Sequence, residues 1–410
     1  MKFFFPDSHD LVDPTFDFAT ETRKYVGSRQ LAQHYAHEEF TTPPYDGMLV
    51  SKAVIDGYAK NVRYSFTQVQ RLKRLGIREF LRLDPPGLKE RIETMGDCGS
   101  FTYVTEPEPP FSVAQVLEFY HECKFDYGLS LDHVVLGYST DAVIEPDVLA
   151  EWQRRFDLTL AYADEFLRLH TAAPGRLTPI GVAQGWSPRS YAAAVKSLQK
   201  MGYTYIALGG MVPLKTPEIL ECLEEIKSVR KSSTKLHLLG ISRFDQLGPL
   251  DQHGVASFDS TAPLKQAFMD DKNNYHTPTR AYTAVRIPQV GENAKLKSAI
   301  LSGAIDQTNA LRLEKASLEG VLKYAEGSGT LAAALAPLKE YEALWHGKKD
   351  DGARYQETLK DRPWEKCPCS ICQKLGVHVV LFRGAERNRR RGFHNLFVLR
   401  NRLRQHLSTQ

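Results

Sequence analysis

The chain has 410 residues, 42% hydrophobic and 25% charged, and a net charge of +4 from 53 basic and 49 acidic side chains. That composition belongs to an ordinary globular protein and excludes a disordered or low-complexity chain. The apolar run Phe3-Phe4-Phe5 is too short for a signal peptide, and no stretch approaches the ~20 apolar residues of a spanning helix, so a cytoplasmic protein without membrane contact is expected.

In chain order, residues 1–7 read as a first strand, and the segment from there to about Asp56 has no sustained period and reads as ordered loop and short helix. Phe66, Val69, Leu72 and Leu75 repeat at helical spacing over 65–75 and lead into a short strand over 79–83. Short apolar runs then recur at 101–104, 129–136, 177–183, 203–208, 236–241, 255–258 and 282–287, with amphipathic helices between them at 149–168, 187–201 and 217–229. Strand alternating with helix implies a parallel sheet. The runs are apolar on both faces and carry Gly, Asp or Gln at their C-terminal ends, which favours an α/β chain closed into a (β/α)8 barrel, with a doubly wound open sheet as the alternative. No Gly-x-Gly-x-x-Gly or Walker-type loop follows a strand, so no nucleotide cofactor is expected. Residues 294–346 are Ala-, Leu- and Lys-rich helical sequence broken at Gly327-Ser328-Gly329. The expected division is a barrel with an N-terminal extension over 1–288, a helical extension over 289–355 and a zinc-binding basic subdomain over 356–410.

Cys367-Pro-Cys369-Ser-Ile-Cys372 places three thiols close together, and His394 follows in Phe393-His394-Asn395-Leu396-Phe397. Thiolates at these spacings can turn around one ion, and an imidazole from a later helix completes the closed tetrahedral set that a structural Zn2+ prefers. His378 and His406 are rival fourth ligands; His394 is favoured because it lies in an apolar-periodic helical segment. Cys98, Cys123 and Cys222 are scattered and read as small buried hydrophobes. Between Arg383 and Arg404 stand eight arginines and one glutamate, a local +7. As a stripe on a helix this run would attract a phosphate backbone.

Cys-x-Cys-x-x-Cys followed by His-Asn in a helix resembles the zinc subdomain of the tRNA-guanine transglycosylase family, whose barrel carboxylates exchange a guanine for a 7-deazaguanine base. Met95-Gly96-Asp97-Cys98-Gly99-Ser100-Phe101 looks like the family's Asp-Ser-Gly-Gly-Phe/Tyr motif, with Cys98 for Ser and Ser100 for Gly; the resemblance makes Asp97 the general acid/base and Phe101 a substrate-binding residue. In Phe125-Asp126-Tyr127-Gly128-Leu129-Ser130-Leu131-Asp132-His133, it makes Asp132 the carboxylate that grips the Watson–Crick edge of guanine and Asp126 a structural strand-start residue, with no role assigned to His133. Gly181-Val182-Ala183-Gln184-Gly185 is similar to Gly-x-x-Gln-Gly and implies that Gln184 donates to the base O6. Leu208-Gly209-Gly210-Met211 resembles a Gly-Gly-Leu turn whose backbone approaches the base. Gly254-Val255-Ala256-Ser257-Phe258-Asp259 resembles the nucleophile strand, which would make Asp259 the residue that holds the sugar covalently.

The resemblance covers roughly 75–400 and implies base exchange by a retaining double displacement. Three features lean toward the DNA-modifying branch, the DNA-guanine transglycosylases. No RNA-binding module follows the zinc segment, the family's basic Pro-Thr-Arg loop is replaced by Thr261-Ala262-Pro263-Leu264-Lys265-Gln266, and residues 5–14 resemble that branch's opening. Double-stranded DNA is the expected polymer and tRNA the alternative. Lys215, where the bacterial tRNA enzymes carry a Glu that accepts an ammonium, points to the neutral base 7-cyano-7-deazaguanine. The resemblance also allows a homodimer and partner proteins of the same pathway. Competing classes are a non-catalytic binding subunit of this fold and a small-molecule glycosidase.

Overall fold

Eight strands pair in parallel and in chain order: β1 (Lys2–Pro6), β2 (Gly47–Ser51), β3 (Glu93–Asp97), β4 (Tyr127–Leu129), β5 (Thr178–Ala183), β6 (Tyr205–Leu208), β7 (Lys235–Leu238) and β8 (Val255–Asp259). β8 returns to β1, with Phe3 beside Phe258, and closes the barrel. The computed structural model describes residues 1–24, 29–58, 64–140, 144–241, 247–346 and 350–408. Phe4, Leu49, Met95, Leu129, Ile180, Val182, Tyr205 and Ala207, from the first six strands, form one buried core cluster. Helices Phe66–Leu75, Val113–Glu122, Pro146–Ala172, Pro188–Met201 and Thr216–Val229 lie between the strands. Ser65, Ser112 and Ser187 start three of them by accepting the otherwise orphaned N–H three residues on. Among the described residues no helix is long and apolar enough to cross a membrane.

The closed parallel α/β barrel agrees with the sequence expectation, but three strands sit elsewhere. The run at 79–83 is the end of a helical turn, Ile77–Phe80, in which Leu81 and Leu83 N–H groups bond back to Ile77 and Arg78 carbonyls, so this backbone has nothing to offer a sheet. Residues 101–104 fall in a short 3-10 turn, Ser100–Tyr103. The strand they displace is β3, whose Glu-Thr-Met-Gly-Asp has no β-branched run. Gly47–Ser51, inside a segment read as loop, is β2. With β2 present the ring is complete, and 282–287 forms only the short strands Ala281–Tyr282 and Val285–Arg286, which pair with Tyr275–His276 and Leu381–Phe382.

The chain packs as two compact units, one of residues 1–9, 45–261 and 403–410 and the other of 10–44 and 262–402. The second unit holds helices Ala294–Leu301, Gln307–Ala325 and Leu331–His346, with the expected break at 327–329, where Ser328 and Gly329 N–H groups close the helix on the Lys323 carbonyl. It also holds most of the C-terminal helix Gly384–Ser408.

That helix overturns one expectation. Arg383, Arg387, Arg390, Arg391 and Arg400 are buried rather than displayed to a phosphate backbone. Arg383 grips Glu21 at 2.6 and 2.7 Å and Glu314 at 2.7 Å, Arg387 reaches Glu21 at 2.5 Å, and Arg390 reaches Glu386 and the Asp13 carbonyl at 2.6 Å. The remaining three also have partners: Arg389 faces Asp10, Arg402 bonds the Thr277 and Pro278 carbonyls, and Arg404 pairs with Glu90. The run is a folding device that fastens residues 10–24 to the helix.

Removing Glu21 would leave two buried guanidiniums short of an acceptor, a loss of about 3–5 kcal/mol for a buried pair. Burial raises the Glu21 carboxyl, but the Arg383 hydrogen bond and the Arg387 and Arg383 charges outweigh it, and the net shift is below the ordinary 4.5. A depressed carboxyl stabilises the fold above its unfolded pKa and loses that contribution as pH falls through the folded one. Urea titrations should show Glu21→Ala well below wild type at pH 7, with the gap narrowing below pH 4.5; a gap independent of pH would count against the pairing.

Candidate functional site

The residues singled out by motif converge at the C-terminal rim of the barrel, where strand ends and loops build sites in this architecture. Asp97 ends β3, Asp132 follows β4, Gln184 follows β5, Gly209, Gly210 and Met211 follow β6, and Asp259 ends β8. Phe101 lies on the turn after β3 and is half exposed. Asp126 precedes β4 and is occupied structurally, accepting from the Thr94 N–H and hydroxyl at 2.9 Å and pairing with Arg91 and Arg176.

Asp132 is fully buried, so its carboxylate requires donors. Cys98 Sγ donates to Oδ1 at 2.9 Å and Gln184 Nε2 to Oδ2 at 2.6 Å, while the Gln184 Oε1 accepts from the Val135 N–H at 3.2 Å. Tyr103 closes the network by donating to Cys98 Sγ at 3.1 Å. Burial nevertheless holds the Asp132 carboxyl above its ordinary range despite the Cys98, Gln184 and Ser100 hydrogen bonds. The three donors leave part of the carboxylate's acceptor capacity open, and Gln184 retains a second N–H, so the pair can still meet a ligand's donor and acceptor edge. Cys123 and Cys222 are buried hydrophobes as expected; Cys98 is instead a donor inside the site.

Glycines are required where this network is tight. A Cβ on Gly209 would stand 2.3 Å from Gln184 Nε2, and one on Gly210 would stand 2.5 Å from the Val135 carbonyl oxygen. Gly99 has φ +85° and its Cβ would fall 2.1 Å from Ser51 Oγ, so the turn that aims Asp97 admits no larger residue.

Asp97 is raised from 3.8 to about 7, chiefly by burial and then by the Asp132 charge, with Asp259 adding to the rise and the Gly99 and Cys98 backbone opposing it. Such a carboxyl can both give and take a proton near neutrality. Asp259 is buried and, among the described residues, anchored through Oδ1, which accepts from the Gly240 N–H at 3.0 Å and His237 Nε2 at 3.1 Å. Sequence reasoning missed His237, a lone His inside the apolar run Leu236-His237-Leu238. The signal was available in polar residues two apart on the facing strand, Ser257 and Asp259. His133, left without a role, is buried with Nε2 at 2.9 Å from the Glu106 carbonyl, outside the carboxylate cluster.

In the second unit, Cys367, Cys369, Cys372 and His394 bring their ligand atoms within 4.8 Å of one another and could hold a metal ion. A tetrahedral ion with sulfur at about 2.3 Å and nitrogen at about 2.0 Å requires sulfur–nitrogen edges near 3.5 Å. The three edges to His394 Nδ1 are 3.5, 3.5 and 3.3 Å. Nε2 lies 2.7 Å from the His276 carbonyl oxygen, to which it donates, leaving the Nδ1 lone pair for the ion. Tyr275 stacks on the imidazole at 4.1 Å and holds its plane. The rival His378 lies elsewhere, against Arg387 and Phe18, and His406 is outside the cluster.

Two outcomes are expected. Because the Asp97 carboxyl is raised, its charged form opposes folding above about pH 7. Asp97→Asn should therefore be more stable than wild type at pH 9, by up to about 4 kcal/mol, and should converge on it below pH 4; calorimetry at the two pH values reads this directly. Elemental analysis should find about one metal ion per wild-type chain, and Cys369→Ala should lose both the ion and several degrees of Tm.

No family model matches the chain. A curated protein of Salmonella montevideo, named DNA-guanine transglycosylase, is 50% identical over 415 residues, an alignment spanning 100% of this chain and 98% of that protein. The chain belongs to the DNA-guanine transglycosylases, enzymes of the glycosyltransferase type.

Proposed function

We propose that the protein exchanges guanine in DNA for 7-cyano-7-deazaguanine through a covalent intermediate on Asp259, with Asp97 moving the protons. The observation that carries this reading is the contrast between neighbouring carboxyls on one rim. Asp132 has both oxygens held by donors, Asp97 is raised to about 7, and Asp259 is anchored through one oxygen among the described residues. Exchanging a base without cutting the strand needs such a division of labour, a nucleophile and a separate proton carrier.

The target guanine is flipped into the rim. Asp132 accepts from its N1–H and 2-amino groups, Gln184 donates to O6, Gly209, Gly210 and Met211 line the base, and Phe101 supplies an aromatic face. Asp259 attacks C1′ as the C1′–N9 bond breaks and Asp97 protonates the departing base. Asp97 then takes the proton of the incoming base as its nitrogen displaces Asp259 from C1′. Lys215 is exposed at the start of helix Thr216–Val229, and a cation there disfavours a base carrying an ammonium. The metal is proposed to be a structural zinc: Cys367, Cys369, Cys372 and His394 leave no open position, and its contribution is to folding. The DNA assignment draws on the relative's name and the N-terminal resemblance, not on the arginine run.

Intact-mass analysis should detect a protein–DNA adduct that disappears in Asp259→Ala while the variant remains folded; full base exchange by that variant would end the nucleophile assignment. Nucleosides from cells expressing the chain and supplied with both the nitrile and aminomethyl bases should show the nitrile product in DNA. Product confined to tRNA, or preference for the aminomethyl base, overturns the corresponding half of the proposal.

A further inference from the structure

A buried polar chain runs behind Asp259. His237 Nε2 lies 3.1 Å from Asp259 Oδ1, His237 Nδ1 lies 2.6 Å from Ser257 Oγ, and Ser257 Oγ is hydrogen-bonded to the Tyr205 hydroxyl. His237 and Ser257 are fully buried and Tyr205 nearly so. A register shift in the β7–β8 pairing skips Ala256 and sets His237 beside Ser257, so that His237, Ser257 and Asp259 share one face of the sheet. The arrangement is therefore built into the strands rather than borne on a loop.

With the imidazole neutral, one assignment of protons satisfies every contact. An imidazole nitrogen without hydrogen would set a lone pair against the Asp259 carboxylate, so Nε2 carries the hydrogen. Nδ1 must then accept, Ser257 donates to it, and Tyr205 donates to Ser257; burial keeps the Tyr205 phenol protonated. With the Gly240 N–H, two donors converge on Oδ1, while Oδ2 has no hydrogen bond among the described residues.

We infer that His237, its tautomer set by Ser257 and Tyr205, is a positioning residue that leaves Oδ2 as the attacking atom and stabilises the carboxylate when it departs. The inference rests on the assignment of Asp259 as nucleophile. In the first half-reaction Oδ2 bonds to C1′ and the C1′–N9 electron pair leaves with the base. Oδ1 becomes the ester carbonyl and keeps its two donors. In the second, the nitrogen of the incoming base bonds to C1′, the C1′–Oδ2 pair returns to the carboxylate, and the restored charge falls on the group that His237 and Gly240 hold. Donors to a carboxylate make it a poorer nucleophile and a better leaving group, so their removal slows the second step most.

The test separates the two half-reactions on the full-length protein with a guanine-containing DNA duplex. His237→Leu should still form the Asp259-linked adduct but resolve it more slowly with added 7-cyano-7-deazaguanine, on the order of 10²-fold, as for loss of one donor to a developing anion. His237→Gln, which carries an amide N–H toward the Nε2 position, should recover much of that rate. Nitrogen NMR of the wild type should show the hydrogen on Nε2 and a bare Nδ1, and Ser257→Ala should disturb it. Wild-type resolution rates in His237→Leu, or an Nδ1–H tautomer in the wild type, overturn the inference even if the Leu variant folds poorly. An absence of any Asp259 adduct in the wild type overturns the nucleophile assignment instead, and the inference with it.

Discussion

The site depends on a single constraint, that carboxyls placed at the rim of a packed barrel are withdrawn from water and must find donors in the protein. Asp132 finds them in Cys98 and Gln184, and Asp259 in His237 and the Gly240 N–H. Asp97 has backbone support from Gly99 and Cys98 against burial and two neighbouring charges, and its proton is held to about 7. Three aspartates of identical intrinsic chemistry thus diverge through the donors that adjacent strands present.

The same constraint explains residues with no obvious chemistry. Gly209 and Gly210 leave space that the Gln184 amide occupies, so the glycine pair shapes the group that meets a ligand as much as it exposes backbone. The register shift between β7 and β8 belongs here too, since it sets a histidine rather than an aliphatic residue behind Asp259.

In the second unit the governing interaction is the buried network of Arg383 and Arg387 with Glu21 and Glu314. Charge in a sequence is neutral information: the eight arginines could face phosphate or be folded inward, and only the position of Glu21, more than 360 residues away in the chain, shows which occurred. The Cys3His cluster shares that unit, and its four side chains bring the start of a short helix, Ser370–Leu375, against the C-terminal helix.

By itself the sequence determined whatever is local or periodic. Apolar runs and helical spacing located β5 to β8 and the helices Pro188–Met201 and Thr216–Val229, and the Cys spacing marked the cluster because one turn of chain carries three ligands. Strand ends bearing Asp97, Asp132, Gln184 and Asp259 were legible through the resemblance of their motifs, in order, to the transglycosylase family, since alone a carboxylate beside a turn reads as a cap. Tertiary structure alone decided the rest. β2 and β3 lack a strong strand signal and exist because a closed ring needs neighbours on both sides. Buried arginines, a thiol acting as a donor and a histidine behind a carboxylate acquire meaning only through partners on other strands, since a hydrogen bond requires two groups within about 3 Å and the chain alone records just one of them.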